Sequence, residues 1–328
     1  DPEFNIKNEE KIKNKVNNIS KTISSEERQR IINLSLDLQK RQESVDDPEI
    51  LPKVTKEDIP SSRNYSLPEV LQEKKLSNYF YKTGTNGITY HSMVFPCQNL
   101  SNEEFKVASL FANTLTDIGL GNINYEEVQK LQSAITGGIS SNFILLPNKN
   151  NDGHRLALRI SSKCLEKNEL KMQELMLRTI KEANFDDSNR IKDMLNFISS
   201  DNERSVIQNG HILAMSNAGS QVNNIAATND MASGINFIKN TKDLSKNINN
   251  GDNLENYISL FQSIKNKVVR MPLYSFTASS LNSANSSLEF KFNESYIDVE
   301  KQSYFNIQKQ PIGWITGAQV CYCAEVFP

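Results

Sequence analysis

Four prolines interrupt the chain between residues 48 and 68. A proline has no backbone N–H and disfavours helical geometry at the residue before it, so prolines this close together prevent a long regular element. We therefore predict an extended linker over residues 47–75. This linker divides the 328 residues into a short N-terminal part and a longer C-terminal part, in keeping with the two domains that such a length favours.

The N-terminal part has the pattern of a helical hairpin over residues 5–46. Isoleucine and valine recur at helical spacing between Ile12 and Ile23, and Ser24 followed by Glu27 forms a capping box that predicts the start of a second helix. Residues 1–4, DPEF, are typical of a cloning remnant. Together with the abrupt ending at VCYCAEVFP, this start predicts that the chain is a piece of a longer polypeptide.

Composition and charge disfavour two classes of protein. The formal net charge of −2 provides no basic excess for a nucleic-acid surface, and no run approaches the roughly 18 apolar residues of a membrane helix. We therefore predict a soluble protein with no nucleic-acid and no membrane partner. The four cysteines form no C-x-x-C pair, and even Cys321 and Cys323 are interpreted as ordinary buried or half-buried thiols.

The C-terminal part alternates strand pairs with helices. Residues 76–83 and 88–95 have strand character and are separated by Asn86-Gly87, which is a strong signal for a β-hairpin. Helices, a second hairpin, further helices and final strands follow. This order predicts an α+β domain over residues 76–310, in which a mostly antiparallel sheet is covered by helices on one face.

One helix is especially well marked, over residues 101–118. Ser101 and Glu104 form a capping box, apolar residues recur along one face, and Gly119 and Gly121 mark the end. This pattern predicts an amphipathic helix that packs on the core of the domain.

A glycine pair, Gly137-Gly138, raises the question of a phosphate site. A P-loop or a dinucleotide fingerprint places its glycines after a strand and before a helix. Here the order is helix, glycines, strand, and no Gly-Lys-Ser/Thr follows. The pattern instead predicts that the pair allows unusual backbone angles or a close approach at the start of a strand.

The sequence contains no evident catalytic constellation. His91, His154 and His211 fall in a predicted strand, loop and helix and lack the spacing of a metal motif, and His211 is interpreted as a packed or hydrogen-bonded residue. Two carboxylate pairs that open helices are interpreted as capping groups. We predict no catalytic residue and no metal ligand in this chain.

Three long stretches carry a family resemblance: SSEERQRIINLSLDLQKRQESVDDPEILPKVTKEDIP, LTDIGLGNINYEEVQKLQSAITGGIS and RIKDMLNFISSDNERSVIQNGHILAMSNAGS. With shorter stretches they cover most of residues 24–220 in the right order. They resemble the presequence protease and falcilysin-like branch of the pitrilysin/insulinase superfamily of zinc metallopeptidases. The resemblance is to the helical hairpin between the two halves of these enzymes and to the third domain.

The resemblance implies a fold and a role. Enzymes of this family have two bowl-like halves that close around unfolded peptides, and Zn²⁺ is held in the N-terminal half by an H-x-x-E-H motif plus a glutamate. This chain would be the hairpin, the third domain and, over residues 311–328, the first strand of a truncated following domain. The counterpart of the zinc motif would fall at Leu110–Thr114, which reads LFANT. We therefore expect a non-catalytic part of a zinc metalloendopeptidase.

The resemblance also implies partners, a compartment and a contact. The expected partners are the N-terminal catalytic half of the same polypeptide and unfolded peptide substrates, such as targeting peptides or protein fragments. The expected compartment is organellar, mitochondrial or plastid-like, or vacuolar. In the family's active domain, the strand related to the one after the glycine pair lies close to bound peptide. The chamber contact is therefore assigned to Thr136, Gly137, Gly138, Ile139 and Ser140.

Two other functions remain open at this point. The same fold also serves as a structural or binding core subunit, and a parent sequence that lacks H-x-x-E-H upstream would favour that function. A helical adaptor would instead bind its partners through the apolar stripe of residues 5–46 alone.

Overall fold

The computed structural model describes residues 4–45, 51–62, 66–73, 76–147, 154–250, 254–268, 272–280, 312–315 and 320–327. The chain divides into two compact units, Asp1–Asn64 and Tyr65–Pro328. We describe each unit separately.

The first unit contains the two predicted helices, α1 (Phe4–Thr22) and α2 (Ser25–Glu43). The side chain of Ser24 accepts a hydrogen bond from the Glu27 N–H at 3.2 Å, as the capping pattern predicts. The Glu27 carboxylate accepts from Arg30. No residue of α2 is buried. A short 3-10 helix lies within the proline-containing linker.

The second unit is built on a mixed sheet. Its strands are β1 (Glu69–Glu73), β2 (Leu76–Lys82), β3 (Ile88–Pro96), β4 (Gly119–Leu120), β5 (Ile139–Pro147), β6 (His154–Leu165), β7 (Ala183–Asn184) and β8 (Tyr274–Ser279). Six of them form one sheet in the order β1-β2-β8-β3-β6-β5, while β4 and β7 pair separately. In the large sheet only β2 and β8 pair in parallel. The predicted α+β class is therefore confirmed.

Seven helices are described in the second unit. They are α3 (Asn102–Leu115), α4 (Tyr125–Ile135), α5 (Glu169–Lys181), α6 (Ser188–Ser220), α7 (Asn224–Ser233), α8 (Ile235–Asn249) and α9 (Leu254–Lys267). Local capping chemistry sets several starts: Ser101 with Glu104, and Asn124 with Glu127, form complete capping boxes. No helix in the described part of the chain is long and apolar enough to cross a membrane.

The core of the second unit is centred on α3. The ring of Phe111 lies 5.8 Å from that of Phe185 and 6.0 Å from that of Phe261, centroid to centroid, which joins α3 to α9. Sheet residues such as Met93 and Leu158 are fully buried in the same cluster. Burial of this aromatic and aliphatic surface is the main stabilising contribution to the domain.

The predicted pairing of β2 with β3 is wrong. Asn86 and Gly87 do adopt the positive φ angles of a tight turn, 52° and 77°. The two strands are nevertheless separated, because β8 lies between them and pairs with β2 on one side and β3 on the other. The second predicted hairpin is confirmed, since β5 and β6 pair directly and antiparallel.

Two other segments differ from their predictions. Strand β1 lies inside the predicted linker, where it follows Pro68 and forms an edge of the sheet, a position that tolerates a preceding proline. At the C-terminal end, the described residues of 312–327 form no strand. Cys321 and Cys323 are exposed free thiols there, not buried or half-buried ones. The predicted strand SLEFKF lies outside the described residues.

Candidate functional site

The glycine pair connects α4 to β5. The Thr136 N–H still donates to the Gln132 carbonyl of α4, at 2.7 Å, whereas the Gly137 N–H donates to the Lys163 carbonyl of β6, also at 2.7 Å. Gly138 has a φ of +101°, and its N–H donates to Thr136 Oγ1 at 3.0 Å. Within two residues the backbone passes from helical to sheet bonding. This confirms that the glycines start a strand.

The side chains around this start differ in exposure. Ile139 is buried, whereas Ser140 is exposed. A Cβ on Gly138 would meet no atom within 4 Å, but one on Gly137 would lie 3.0 Å from carbons of the Lys163 side chain. Positive φ at Gly138 and close approach at Gly137 are therefore the separate reasons for the two glycines. A contact of this segment with substrate stays a prediction.

A cleft of about 790 Å³ lies further along β5. It is lined by residues of α3, β5, α6, α7 and α8. Ser141 Oγ donates to the Ala112 carbonyl at 2.5 Å, which fixes β5 against α3 at the wall of this cleft. Because β5 forms an edge of the sheet, the cleft borders a strand that has only one strand neighbour.

The lining combines amide and apolar side chains. Five asparagines contribute, on four different elements: Asn113, Asn142, Asn202, Asn209 and Asn229. Ile212 and Ile225 line the cleft as well, although about half of each side chain is exposed. The sequence analysis missed this site. A signal existed on α6, because Asn202, Ser205 and Asn209 follow the spacing of one helix face.

Helix α3 does not fit a zinc site. Leu110, Phe111 and Ala112 are buried in the core, and the Thr114 hydroxyl donates to the Leu110 carbonyl at 2.7 Å. Zinc in proteins is bound by Cys, His, Asp or Glu, and positions 110–114 offer none of these. Among the described residues, no group of three or more such side chains is placed to hold a metal ion.

Glu104 is a buried carboxylate with a structural role. It accepts hydrogen bonds from Lys267 Nζ at 2.5 Å, from Ser263 Oγ at 2.6 Å and from the Ser101 N–H at 2.5 Å. Burial alone would raise the pKa of Glu104, but these donors outweigh burial and bring it to about 2. The carboxylate stays charged at neutral pH and ties the start of α3 to the end of α9.

The histidines and buried cysteines do not form a nucleophilic site. His91 is buried, its Nδ1 lies 2.8 Å from Thr277 Oγ1, and burial lowers its pKa to about 4. Burial also raises the pKa of the Cys97 thiol to about 12, so no thiolate forms at neutral pH.

Two predictions about histidines are wrong. His211 is exposed on α6, with its ring 6.0 Å from that of Tyr322, and is not a packed residue. His154 is the first residue of β6, not part of a loop. In both cases the extent of a neighbouring element, rather than the residue type, sets the environment.

Comparison with known proteins gives these features a context. The family of peptidase-associated regions found in pitrilysin-type peptidases matches residues 1–244. Mitochondrial presequence protease of Drosophila melanogaster is 29% identical over 195 residues, 59% of this chain and 19% of that protein. Presequence protease 1, chloroplastic/mitochondrial, of Arabidopsis thaliana is 24% identical over 226 residues, 68% of this chain and 21% of that protein.

The same comparison extends to other animals and to solved structures. Mitochondrial presequence protease of Xenopus tropicalis is 26% identical over 200 residues, which are 61% of this chain and 20% of that protein. The chain thus spans about a fifth of the length of these relatives. A crystal structure of a conserved protein from Enterococcus faecalis V583 aligns with a TM-score of 0.43 and 11% identity, over 67% of this chain and 50% of that one. We base nothing on that alignment.

Proposed function

Because this chain belongs to the peptidase-associated family of the pitrilysin-type peptidases, we propose that it is a non-catalytic part of a zinc metalloendopeptidase that degrades unfolded peptides. In this proposal the chain forms part of the wall of the peptide chamber. The presequence proteases among its relatives support peptides as the substrate class. The proposed domains are the hairpin of residues 5–46, the linker, and the domain of residues 76–310, followed by the start of another domain at 311–328.

Helix α3 carries the non-catalytic part of the proposal. By resemblance, its residues Leu110–Thr114 occupy the place of a zinc motif, and three of these five side chains are apolar and part of the buried core. The core therefore uses the side chains that a catalytic domain would direct to the metal. Zinc and the general base are proposed to reside in the N-terminal half of the same polypeptide.

The relatives also support a compartment. Their names place them in mitochondria, or in chloroplasts and mitochondria for the Arabidopsis protein. We extend an organellar location of this kind to the parent of this chain as part of the proposal. Fractionation of cells that express the tagged parent would test it, with enrichment in the organelle fraction as the expected result.

A second candidate is a structural or binding subunit in a parent without peptidase activity. The absence of metal ligands from Leu110–Thr114 fits this function equally well. The sequence upstream of this chain separates the two candidates, because an H-x-x-E-H motif there favours the peptidase.

Zinc content and cleavage by the chain alone test the proposal. The purified chain is mixed with excess Zn²⁺, dialysed, and assayed for bound metal and for cleavage of a quenched fluorescent peptide. We expect no stoichiometric zinc and no cleavage above buffer. One retained zinc per chain together with robust cleavage would refute the non-catalytic role.

A further inference from the structure

The cleft beside β5 is electrically neutral. Eighteen residues line it, and none is Asp, Glu, Lys, Arg or His. At the chain-wide charged fraction of 23%, about four charged residues would be expected in such a set. A surface of this kind disfavours charged ligands, because a charge that enters loses hydration without gaining a partner.

The asparagines give this neutral surface a specific chemistry. Each side-chain amide offers one acceptor oxygen and two N–H donors, the same groups that a peptide backbone presents. Asn113, Asn209 and Asn229 are exposed. Among the described residues, Asn202 Nδ2 is buried without a hydrogen-bond partner. A buried donor of this kind is stabilised by an acceptor that a ligand brings.

The strand on the other side of the cleft offers matching groups. The cleft follows Asn142–Leu145 of β5, which pairs with β6 alone in the described sheet. On an edge strand, alternate residues direct their N–H and C=O groups away from the only neighbour. An extended peptide satisfies such groups by adding a strand.

We infer that this cleft binds an extended, uncharged peptide segment that adds to β5 and contacts the asparagine amides of α6 and α7 on its other side. That this segment belongs to a substrate rests on the proposed function. Four strand residues span roughly 10 Å, so the cleft reads a segment of about four residues. Ile212 and Ile225 provide apolar contacts for its side chains.

Binding of short labelled peptides to the intact chain tests the inference. Fluorescence anisotropy gives the Kd of a neutral peptide of Ser, Ala, Val and Asn, and of versions with two central lysines or two central aspartates. We expect the neutral peptide to bind at least about tenfold more tightly than either charged version. Hydrogen exchange of the segment that contains Asn142–Leu145 should slow when the neutral peptide is bound.

A charge introduced into the cleft should change this selectivity. In the double variant Asn209→Asp with Asn229→Asp, we expect the lysine peptide to bind about tenfold more tightly than it binds the wild type, and the neutral peptide more weakly. The matched control is Gln208→Glu with Asn247→Asp, which adds the same charge at exposed helix positions outside the lining. Circular dichroism checks that both variants fold.

The outcomes separate this inference from the proposed function. Equal affinities for neutral and charged peptides in the wild type, or the same change in the control as in the cleft variant, would overturn the inference. If cleavage is nevertheless restored when the N-terminal half is added, the proposed function stands without it. Charge-selective binding without any restored cleavage would support the cleft and overturn the proposed function.

Discussion

The two units of the chain differ in what covers their amphipathic helices. In the first unit, Leu34 and Leu38 of α2 are 65% and 58% exposed. In the second unit, Phe111 and Leu115 of α3 are both 1% exposed. Both helices have a sequence pattern with one apolar face, yet only α3 is covered by its own unit.

This difference shows what helical periodicity can and cannot predict. Periodicity identifies the face that has to be buried, but it does not identify the surface that buries it. A stripe of exposed leucine and isoleucine marks an interaction site when no part of its own unit covers it. The hairpin is therefore suited to contact another part of a longer polypeptide, as the proposed function requires.

The largest expected effect concerns the two apolar faces directly. Phe111→Ala should lower the free energy of unfolding of the second unit by about 3–5 kcal/mol, because it leaves a cavity among buried aromatic rings. Leu34→Ala, at an exposed position, should change it by less than about 0.5 kcal/mol. Urea unfolding followed by circular dichroism measures both, and equal losses would contradict the comparison.

A smaller effect is expected at the buried ion pair of α3. Glu104→Gln should cost about 2 kcal/mol at pH 7, because it removes the charge that Lys267 faces. The control is Glu103→Gln on the same turn, where the exposed pair with Lys106 should contribute less than about 0.5 kcal/mol. Similar losses in the two variants would show that burial of Glu104 has no energetic consequence.

The same carboxylate gives a pH dependence. Its folded pKa of about 2 lies below the ordinary value of 4.5, so its stabilisation is complete above pH 4.5 and is lost as the pH falls toward 2. We expect the free energy of unfolding of the wild type to fall more steeply between pH 5 and pH 3 than that of Glu104→Gln. Parallel pH profiles would contradict this assignment.

A still smaller effect is expected at the start of β5. Gly138→Ala should cost about 1 kcal/mol, because the residue has a φ of +101° while the space around its Cβ is open. The cost is thus one of backbone conformation alone. Ser140→Ala, at an exposed position two residues later, is the control with almost no expected change. A neutral Gly138→Ala would show that the connection tolerates another backbone path.

The smallest effect on the second unit should follow deletion of residues 5–46. Every buried apolar residue of the described chain lies at Leu76 or later, so the core of the second unit is complete without the hairpin. Thermal unfolding of the remaining chain should keep its midpoint within about 2 °C. A large drop would show that the hairpin contributes to that core.

Local features of the sequence predicted the local structure well. The caps at Ser24, Ser101 and Asn124 and the backbone change at Gly137-Gly138 depend on neighbouring residues only, and the structure has them all. Pairing of β2 with β3 failed for the opposite reason. The strand that separates them, β8, is contributed by a distant part of the chain, and no local pattern announces it.

The cleft shows the same limit. The helical spacing of Asn202 and Asn209 is readable in the sequence, whereas the edge position of β5 depends on the complete strand order. Two polar positions on a helix remain ambiguous until the strand that faces them is known. Segment Thr136–Ser140 was predicted as backbone geometry for this reason, and the asparagine lining was not.

The central claim is that this chain completes a peptidase without carrying its chemistry. The most direct test is peptide cleavage by the separately purified N-terminal half, measured as this chain is added in increasing amounts. We predict that activity rises and saturates near one chain per N-terminal half, while this chain alone remains inactive. Activity that is independent of the added chain, or cleavage by this chain alone, would contradict the account.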